Sequence, residues 1–223
     1  MSLILLGLVG TPASGKSTVA GHLQEKGALW INADLVARDV LQQADVTSQL
    51  TKHFGSGIVD ASGAINRSAV AKLVFGETVQ HKAALDYLES VIHPPTRHEI
   101  LRRLRIASRE SVQVALLDVP LLFESGWHYA CDTVWCIDAP LESRVQWSTA
   151  RGWDAGELQR RESNQLAIAD KQRLSNLILH NGGTLAELQK KVDEHWQNLV
   201  TMESSGADFS ESNPCFTDGP HGT

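Results

Sequence analysis

A glycine-rich segment near the start of the chain constrains its fold more than any other feature. Residues 10–17 read Gly-Thr-Pro-Ala-Ser-Gly-Lys-Ser and follow an apolar run at residues 3–9. They fit the pattern G-x-x-x-x-G-K-[ST], in which glycines let successive backbone N–H groups wrap around an anion. In that pattern Lys16 reaches the β- and γ-phosphates, and the Ser17 hydroxyl ligates Mg²⁺. Together with a helix predicted from Thr18 onward, whose N-terminal partial charge attracts anions, the segment predicts a nucleoside triphosphate site.

The composition excludes several other classes of protein. Of the 223 residues 42% are hydrophobic and 21% are charged, and the formal net charge is −6. An acidic chain is a poor general binder of nucleic acid, which requires basic side chains against phosphates. No apolar run approaches the ~20 residues that cross a bilayer, and the N-terminal run lacks the basic flank of a signal peptide.

The cysteines indicate a reducing compartment. Cys131, Cys136 and Cys215 show neither metal-ligand spacing nor an even disulfide framework. Cys136 falls in a predicted buried strand and Cys131 just before it, so we expect buried free thiols. We therefore expect a cytoplasmic protein, a monomer or weak homo-oligomer, that binds neither membranes nor nucleic acid.

Short apolar runs alternate with helical patterns along the chain, which predicts an α/β fold with a parallel sheet covered by helices on both faces. A helix is predicted over residues 185–200, with a capping box formed by Thr184 and Glu187. From Glu203 onward the chain is rich in Ser, Gly, Asp and Pro, and a disordered tail is predicted. The strands are predicted at about residues 3–9, 28–32, 113–118, 132–138 and 177–180.

Two segments exceed what a minimal five-stranded sheet needs. Residues 46–110 are mostly helical in pattern, with a helix predicted to end at residues 93–95, His-Pro-Pro. Residues 141–175 are predicted to hold a pair of charged helices, with a start signal at Asp154 and Glu157. Because insertions at the carboxyl ends of parallel strands surround the ligand crevice, we expect one segment to bind the acceptor and the other to act as a lid.

Two carboxylates follow predicted strands. Asp118 ends the third strand, where an acid beside the phosphate loop ligates Mg²⁺ directly or through water. Asp34 follows the second strand and has two interpretations. It is either the N-cap of the next helix or a general base for an attacking hydroxyl, and both roles are compatible.

Two longer motifs narrow the class of nucleotide-binding protein. Residues 118–126, Asp-Val-Pro-Leu-Leu-Phe-Glu-Ser-Gly, resemble the D-V-P-L-L-F-E-x-G signature of the dephospho-coenzyme A kinase family. Residues 32–38, Asn-Ala-Asp-Leu-Val-Ala-Arg, resemble its D-A-D-x-x-A-R block. The resemblance spans about residues 3–199. Shorter matches are His53–Gly55, Asn66–Arg67 with Val74–Phe75, Ile92–Pro94, Arg151, Arg161, Gln165 and Asn181–Gly183.

The resemblance implies an activity, a fold and a set of site residues. The activity is ATP-dependent phosphorylation of the ribose 3′-hydroxyl of dephospho-CoA, the last step of coenzyme A synthesis. The fold is the three-layer α/β P-loop kinase fold with a five-stranded parallel sheet, a helical acceptor-binding insertion and a lid. Residues implied to bind ATP are Ala13, Ser14, Gly15, Lys16, Ser17, Thr18 and Asn181. Residues implied to bind dephospho-CoA are Asp34, Arg38, His93, Leu121 and Leu122. Catalysis would fall to Asp34, Lys16 and Arg151, and Mg²⁺ to Ser17 and Asp118.

The chain departs from the family pattern at three places. Asn32 stands where the family has the first Asp of D-A-D, which removes one carboxylate near the metal. Ser175-Asn176 replace Ala-Asp before the last strand. Thr11-Pro12 replace Gly-Ile in the phosphate loop, where Pro12 removes one N–H donor.

Three other functional interpretations of the sequence remain to be distinguished. Another small-molecule P-loop kinase, for a nucleoside monophosphate or shikimate, would need a different acceptor signature. A GTP-binding switch protein would carry an N-K-x-D motif, which the chain lacks; its one D-x-x-G, at residues 60–63, lies in a polar segment. A silent regulator that binds the same ligands need not keep Lys16, Ser17, Asp34 and Asp118 together.

Overall fold

The computed structural model describes residues 3–154, 156–201 and Phe209. The chain divides into two units, one formed by the residues up to Asn32 together with those from Arg103 onward, and one formed by Ala33–Arg102. The predicted tail lies outside the described residues except for Phe209, which is buried.

The first unit contains a five-stranded sheet in the order β2-β3-β1-β4-β5, and every pairing between neighbours is parallel. This confirms the predicted parallel sheet, and the strand bounds differ from the predicted ones by about one residue. The strands are Ile4–Gly10 (β1), Leu29–Asn32 (β2), Val114–Asp118 (β3), Thr133–Asp138 (β4) and Leu177–His180 (β5).

The helices of the first unit are Lys16–Glu25 (α1), Leu141–Ala150 (α6), Glu157–Ser163 (α7), Ile168–Leu174 (α8) and Leu185–Val200 (α9). The second unit contains Ala33–Val40 (α2), Ala44–Phe54 (α3), Arg67–Val74 (α4) and most of Val79–Arg109 (α5). Short 3₁₀ turns occur at Ser56–Ile58 and Trp127–Ala130.

The core of the first unit explains why β1 reads as a continuous apolar run. Side chains alternate across a strand, and the central strand is buried on both faces. On one face Ile4, Leu6 and Leu8 pack in a cluster with residues of α1 and α9. On the other face Gly7 leaves room for Leu122, whose Cδ2 lies 2.7 Å from where a Cβ on Gly7 would stand.

Local polar contacts fix the start of α9 and the approach to β5. Thr184 and Glu187 form the predicted capping box. Asn176 bonds β4 twice, because its backbone N–H donates to Val134 O and its Oδ1 accepts from Val134 N, both at 2.8 Å. Asn176 therefore docks the start of β5 onto β4.

The prediction that a helix ends at residues 93–95 is wrong. Helix α5 is continuous through Pro94 and Pro95. A proline removes one intrahelical hydrogen bond, but its fixed φ is itself helical, so the helical path remains accessible. Ile92 and Ile100 are buried on either side of the prolines, and this burial favours continuation over a break.

The segment 141–175 holds three helices, α6 to α8, rather than the predicted pair. The start signal before α7 does form, since the Asp154 carboxylate accepts hydrogen bonds from the N–H groups of Gly156 (2.8 Å) and Glu157 (2.9 Å). The additional helix, α8, contacts β1 and β4. None of the helices among the described residues combines the length and apolar character that a membrane span requires.

Candidate active site

The phosphate loop links β1 to α1. Strand β1 ends at Gly10, α1 begins at Lys16, and the loop between them closes with a hydrogen bond from Ser14 N–H to Thr11 O at 3.2 Å. Gly15 has φ of +98°, and a Cβ there would strike the side-chain amide of Asn181. Ala13 adopts φ of +61°, which is uncommon for a residue with a side chain. The loop is held in the curled form that presents N–H groups to an anion.

Asn181 is the residue that braces this loop. Its side-chain amide donates to Ser14 O at 2.9 Å, and its backbone N–H donates to Asp138 O at 2.7 Å. The end of β5 is thereby connected to the phosphate loop through one buried side chain. The predicted nucleotide-binding Asn181 thus lies against the predicted nucleotide-binding Ser14 and Gly15.

A cavity of about 290 Å³ adjoins the loop and α1. We call it the first cavity. It is lined by Gly15, Thr18, Trp147, Ala150, Arg151 and Asn181. Four of these are residues predicted to bind ATP or to act on its phosphates, so the fold brings them together in one place.

Three arginines of the segment 141–175, which is predicted to act as a lid, differ in what they contact. Arg144 is buried, donates from Nε to Ala139 O at 3.1 Å and pairs with Glu162. Arg161 donates to Glu157 at 2.8 Å and lies over the ring of Trp153 at 4.5 Å. Arg151, in contrast, is exposed and lines the first cavity. Of the three, Arg151 is therefore the one best placed to reach a triphosphate there.

Two hydroxyls of the phosphate loop indicate that a ligand or water binds beside it. The Oγ1 of Thr11 and the Oγ of Ser14 are buried and have no hydrogen-bond partner among the described residues. Burying a hydroxyl without a partner costs about 1–3 kcal/mol, so such groups in a native fold point to a ligand or water.

The predicted Mg²⁺ ligands lie at adjoining strand and helix ends. Asp118 ends β3 and stands beside Leu8 of β1 in register, while Ser17 is exposed in the first turn of α1. The amide of Asn32 donates to Asp118 Oδ2 at 3.3 Å. Among the described residues no three His, Cys, Asp or Glu side chains cluster as a metal cage. A hydroxyl and one carboxylate suit Mg²⁺, which binds few protein ligands and completes its shell with phosphates and water.

The predicted acceptor residues of the second unit are exposed. Asp34, Arg38 and His93 all lie on helix surfaces of that unit. Asp34 is the second residue of α2, so the N-cap interpretation is wrong. Helix α2 begins at Ala33, two residues earlier than expected and directly after β2, and this places the carboxylate in the first turn.

The two predicted acceptor leucines of the first unit differ in exposure. Leu121 is 39% exposed, whereas Leu122 is 0% exposed and packs against Gly7. The side chain of Leu121 is therefore the accessible one of the pair, and the side chain of Leu122 supports the sheet.

Comparison with known proteins identifies the family. The family model for dephospho-CoA kinase matches residues 4–187. A dephospho-CoA kinase of Rhodopirellula baltica is 39% identical over 196 residues, which cover 88% of this chain and 91% of that protein.

This chain belongs to the dephospho-CoA kinase family.

Further relatives agree with the assignment. A dephospho-CoA kinase of Symbiobacterium thermophilum is 34% identical over 195 residues, covering 86% of this chain and 80% of that protein. A solved protein of Thermus thermophilus superposes with a TM-score of 0.74 at 31% identity, covering 89% of this chain and 99% of that one. Membership confirms the resemblance inferred from the motifs and identifies the chain as a P-loop kinase, a class that uses ATP.

One buried cation of the site was missed from the sequence. Lys171 of α8 is 2% exposed, and its Nζ donates to Gln165 Oε1 at 2.6 Å and lies 3.4 Å from Gly10 O, at the start of the phosphate loop. Burial lowers the pKa of its ammonium; the charge of Glu124 opposes that shift and the charge of Lys16 adds to it. Lys171 follows Ile168 by three residues and so lies on the same face of the helix. This spacing is the sequence signal that its side chain is buried.

Glu124, in the motif at residues 118–126, contacts the segment between α7 and α8. Its Oε1 accepts a hydrogen bond from Leu166 N–H at 2.7 Å, in the linker between α7 and α8. The neighbouring Gln165 bonds Lys171, which in turn reaches Gly10. Polar contacts therefore connect three segments: residue 124, the residues between α7 and α8, and the start of the phosphate loop.

Proposed function

We propose that this protein transfers the γ-phosphoryl group of ATP to the ribose 3′-hydroxyl of dephospho-CoA, yielding coenzyme A and ADP. The observation that carries this proposal is the family match, which runs from the first strand to the start of α9. The site chemistry is consistent with it, because a phosphate loop with a nearby carboxylate is the arrangement that phosphoryl transfer uses.

In this proposal the phosphate loop holds ATP. The N–H groups of residues 13–18 bind the phosphates, and Lys16 neutralises charge on the β- and γ-phosphates. Arg151, at the edge of the first cavity, covers the triphosphate and balances the charge that spreads over the transferring group.

Mg²⁺ would be held by Ser17 and Asp118, where it supplies charge neutralisation for the phosphates. Asn32 orients the Asp118 carboxylate by donating to Oδ2. Asp34, two residues after Asn32 in the chain, acts as the general base that accepts the proton of the 3′-hydroxyl. Arg38, His93 and the exposed Leu121 contribute to binding the acceptor.

A coupled ADP-release assay tests the proposal. Four acceptors are compared at equal concentration with ATP and Mg²⁺: dephospho-CoA, adenosine, AMP and shikimate. Only dephospho-CoA should accelerate ADP release strongly, and the product should carry a new 3′-phosphate. Strong acceleration by AMP or shikimate would instead establish the alternative, another P-loop small-molecule kinase.

Two variants complete the design. Lys16→Ala should release no ADP with any acceptor, because the site loses its main cation. Turnover within about tenfold of the parent protein would contradict that role. Lys191→Met is the matched control, since Lys191 is an exposed lysine whose Nζ donates to His180 O at 2.8 Å.

The remaining expectations stay predictions of the sequence. They are the cytoplasmic location, the monomeric or weakly oligomeric state, and the absence of nucleic-acid and membrane binding. The acceptor-binding role of residues 46–110 and the lid role of residues 141–175 belong with them.

A further inference from the structure

We propose that a second cavity of the first unit, bordered by Thr11, Arg144 and Lys171, binds the 5′-diphosphate of the acceptor. The proposal rests on the proposed function and adds to it the place where the anionic part of the acceptor is held. All of the residues that line this cavity belong to the first unit.

The second cavity has a volume of about 290 Å³. Thr11 and Pro12 of the phosphate loop form one wall, and residues 162–171 with Arg144 form the others. It shares no lining residue with the first cavity, which borders the other end of the loop at Gly15 and Thr18. Each end of the loop therefore faces its own cavity.

Unsatisfied donors line the second cavity. Thr11 is 7% exposed, and its hydroxyl has no hydrogen-bond partner in the part of the chain that the structure describes. Lys171 has three N–H donors, and two of them are used, by Gln165 and Gly10. The Thr11 hydroxyl and the Lys171 ammonium both border this cavity, and two such donors favour a ligand with acceptor oxygens.

The charges at the cavity favour an anion. Arg144 and Glu162 pair with each other, so their charges cancel. Lys171 forms no ion pair within 4 Å among the described residues, although it is almost fully buried. A buried ammonium with no carboxylate within 4 Å, on which Glu124 and Glu162 act only from farther away, is stabilised by a ligand that brings negative charge into contact with it.

The position of the cavity selects the acceptor over ATP. Lys171 Nζ lies 3.4 Å from Gly10 O, and Thr11 and Pro12 line the cavity, so it adjoins the phosphate loop at the end away from the first cavity, where we expect the γ-phosphate to lie. A ligand next to the γ-phosphate is the acceptor. Dephospho-CoA carries a diphosphate on the 5′-carbon of the ribose whose 3′-hydroxyl reacts, so both groups fall within a few ångströms of each other.

Steady-state kinetics of Lys171→Met and Thr11→Val test the assignment. The KM for dephospho-CoA should rise about tenfold or more in Lys171→Met, the scale of a lost hydrogen bond to a charged group. A rise of about threefold to tenfold is expected in Thr11→Val, and Thr11→Ser, which keeps the hydroxyl, should restore the parent value. The Kd for ATP without acceptor should stay within about twofold in all three.

Adenosine separates the diphosphate from the rest of the acceptor. It has the reacting hydroxyl but no diphosphate, so its low kcat/KM should be the same in Lys171→Met as in the parent protein. Lys191→Met, the control lysine, should change none of these values.

These measurements distinguish failure of the proposed function from failure of the second-cavity assignment. If the parent protein does not phosphorylate dephospho-CoA, the proposed function fails before any variant is compared. If the parent is active but the KM for dephospho-CoA is unchanged in both variants, only the second-cavity assignment fails. A parallel loss of ATP affinity in both variants would also overturn it, because the cavity would then serve the nucleotide. Should Lys171→Met not fold, Thr11→Val and Thr11→Ser decide the question alone.

Discussion

The side-chain amide of Asn32 donates a hydrogen bond to Oδ2 of Asp118, with 3.3 Å between nitrogen and oxygen. The two residues stand opposite each other at the carboxyl ends of β2 and β3. An amide at position 32 supports the metal-ligand carboxylate without repelling it, whereas the aspartate expected from the family pattern would place two carboxylates side by side.

Asn32→Asp should therefore make folding depend on the metal. Two facing carboxylates repel, and Asp118 loses the hydrogen bond from position 32, so the free energy of unfolding should fall by about 1–3 kcal/mol without Mg²⁺. Saturating Mg²⁺ should recover more stability in this variant than in the parent protein. Urea unfolding with and without Mg²⁺ measures both values. Asn32→Ala, which removes the donor without adding charge, is the control, and an equal Mg²⁺ response in Asn32→Asp and Asn32→Ala would refute the explanation.

Asp34→Asn should lower kcat about 100-fold or more while the Kd for ATP is nearly unchanged, because a general base is lost and the phosphate loop is intact. Single-turnover kinetics with dephospho-CoA measure the first value, and calorimetric titration measures the second. Asp39→Asn, an exposed position on the same helix, is the control. An unchanged kcat in Asp34→Asn would contradict the role as general base. The carboxylate would then act only by interacting with the positive N-terminal end of α2.

Gly15→Ala should weaken ATP binding at least about tenfold, because a Cβ at φ of +98° would collide with the Asn181 amide that braces the loop. Gly27→Ala is a matched control. Gly27 has φ of +100°, but no atom lies within 4 Å of its Cβ position. Both variants should lose about 1 kcal/mol of stability from backbone strain, and only Gly15→Ala should lose ATP affinity. Equal ATP affinity in the two variants would show that the contact with Asn181 is dispensable.

The stability of the protein at alkaline pH should depend on Cys131. Burial, and after it the charge of Asp132, raises the pKa of this thiol from its ordinary value of 9.0 to about 12. In the folded state the thiol stays protonated, while in the unfolded chain it ionises above pH 9. The stabilising effect is therefore complete below pH 9 and is lost as the pH rises from 9 to about 12.

Denaturant unfolding of the parent protein and Cys131→Ala at several pH values measures this effect. The parent should lose up to about 1.4 kcal/mol per pH unit more than the variant in that window, because one additional proton leaves on unfolding. Parallel pH profiles would show that the thiol is not shielded from solvent in the folded state.

Much of the first unit follows from sequence patterns that depend on short-range physics. The strands are predictable because β1 and β3 are buried on both faces and read as unbroken apolar runs. Helix α9 is predictable because its stripe and its capping box are both local signals. The phosphate loop is predictable from motif chemistry and Asn181 from the resemblance to the family, and the fold places them in contact.

What the sequence could not supply depends on contacts between distant segments. Lys171 reads as one more charged residue of a polar helix, and only the packing of α8 on β1 and β4 brings it to Gly10. Pro94 and Pro95 read as a break, and only the burial of Ile92 and Ile100 keeps α5 continuous. Arg144, Arg151 and Arg161 look equivalent in the sequence, and their partners alone separate them.

The burial of Phe209 limits where the C-terminal segment of this protein can be truncated. Phe209 as a whole is only 7% exposed, and its carbonyl oxygen accepts a hydrogen bond from a guanidinium nitrogen of Arg105 at 3.4 Å. A boundary chosen from composition alone, at residue 203, would cut away an aromatic side chain that folding has removed from water. Truncation at residue 203 would remove this buried residue and its contact with Arg105 of α5. The enzyme is better shortened, if at all, beyond Phe209.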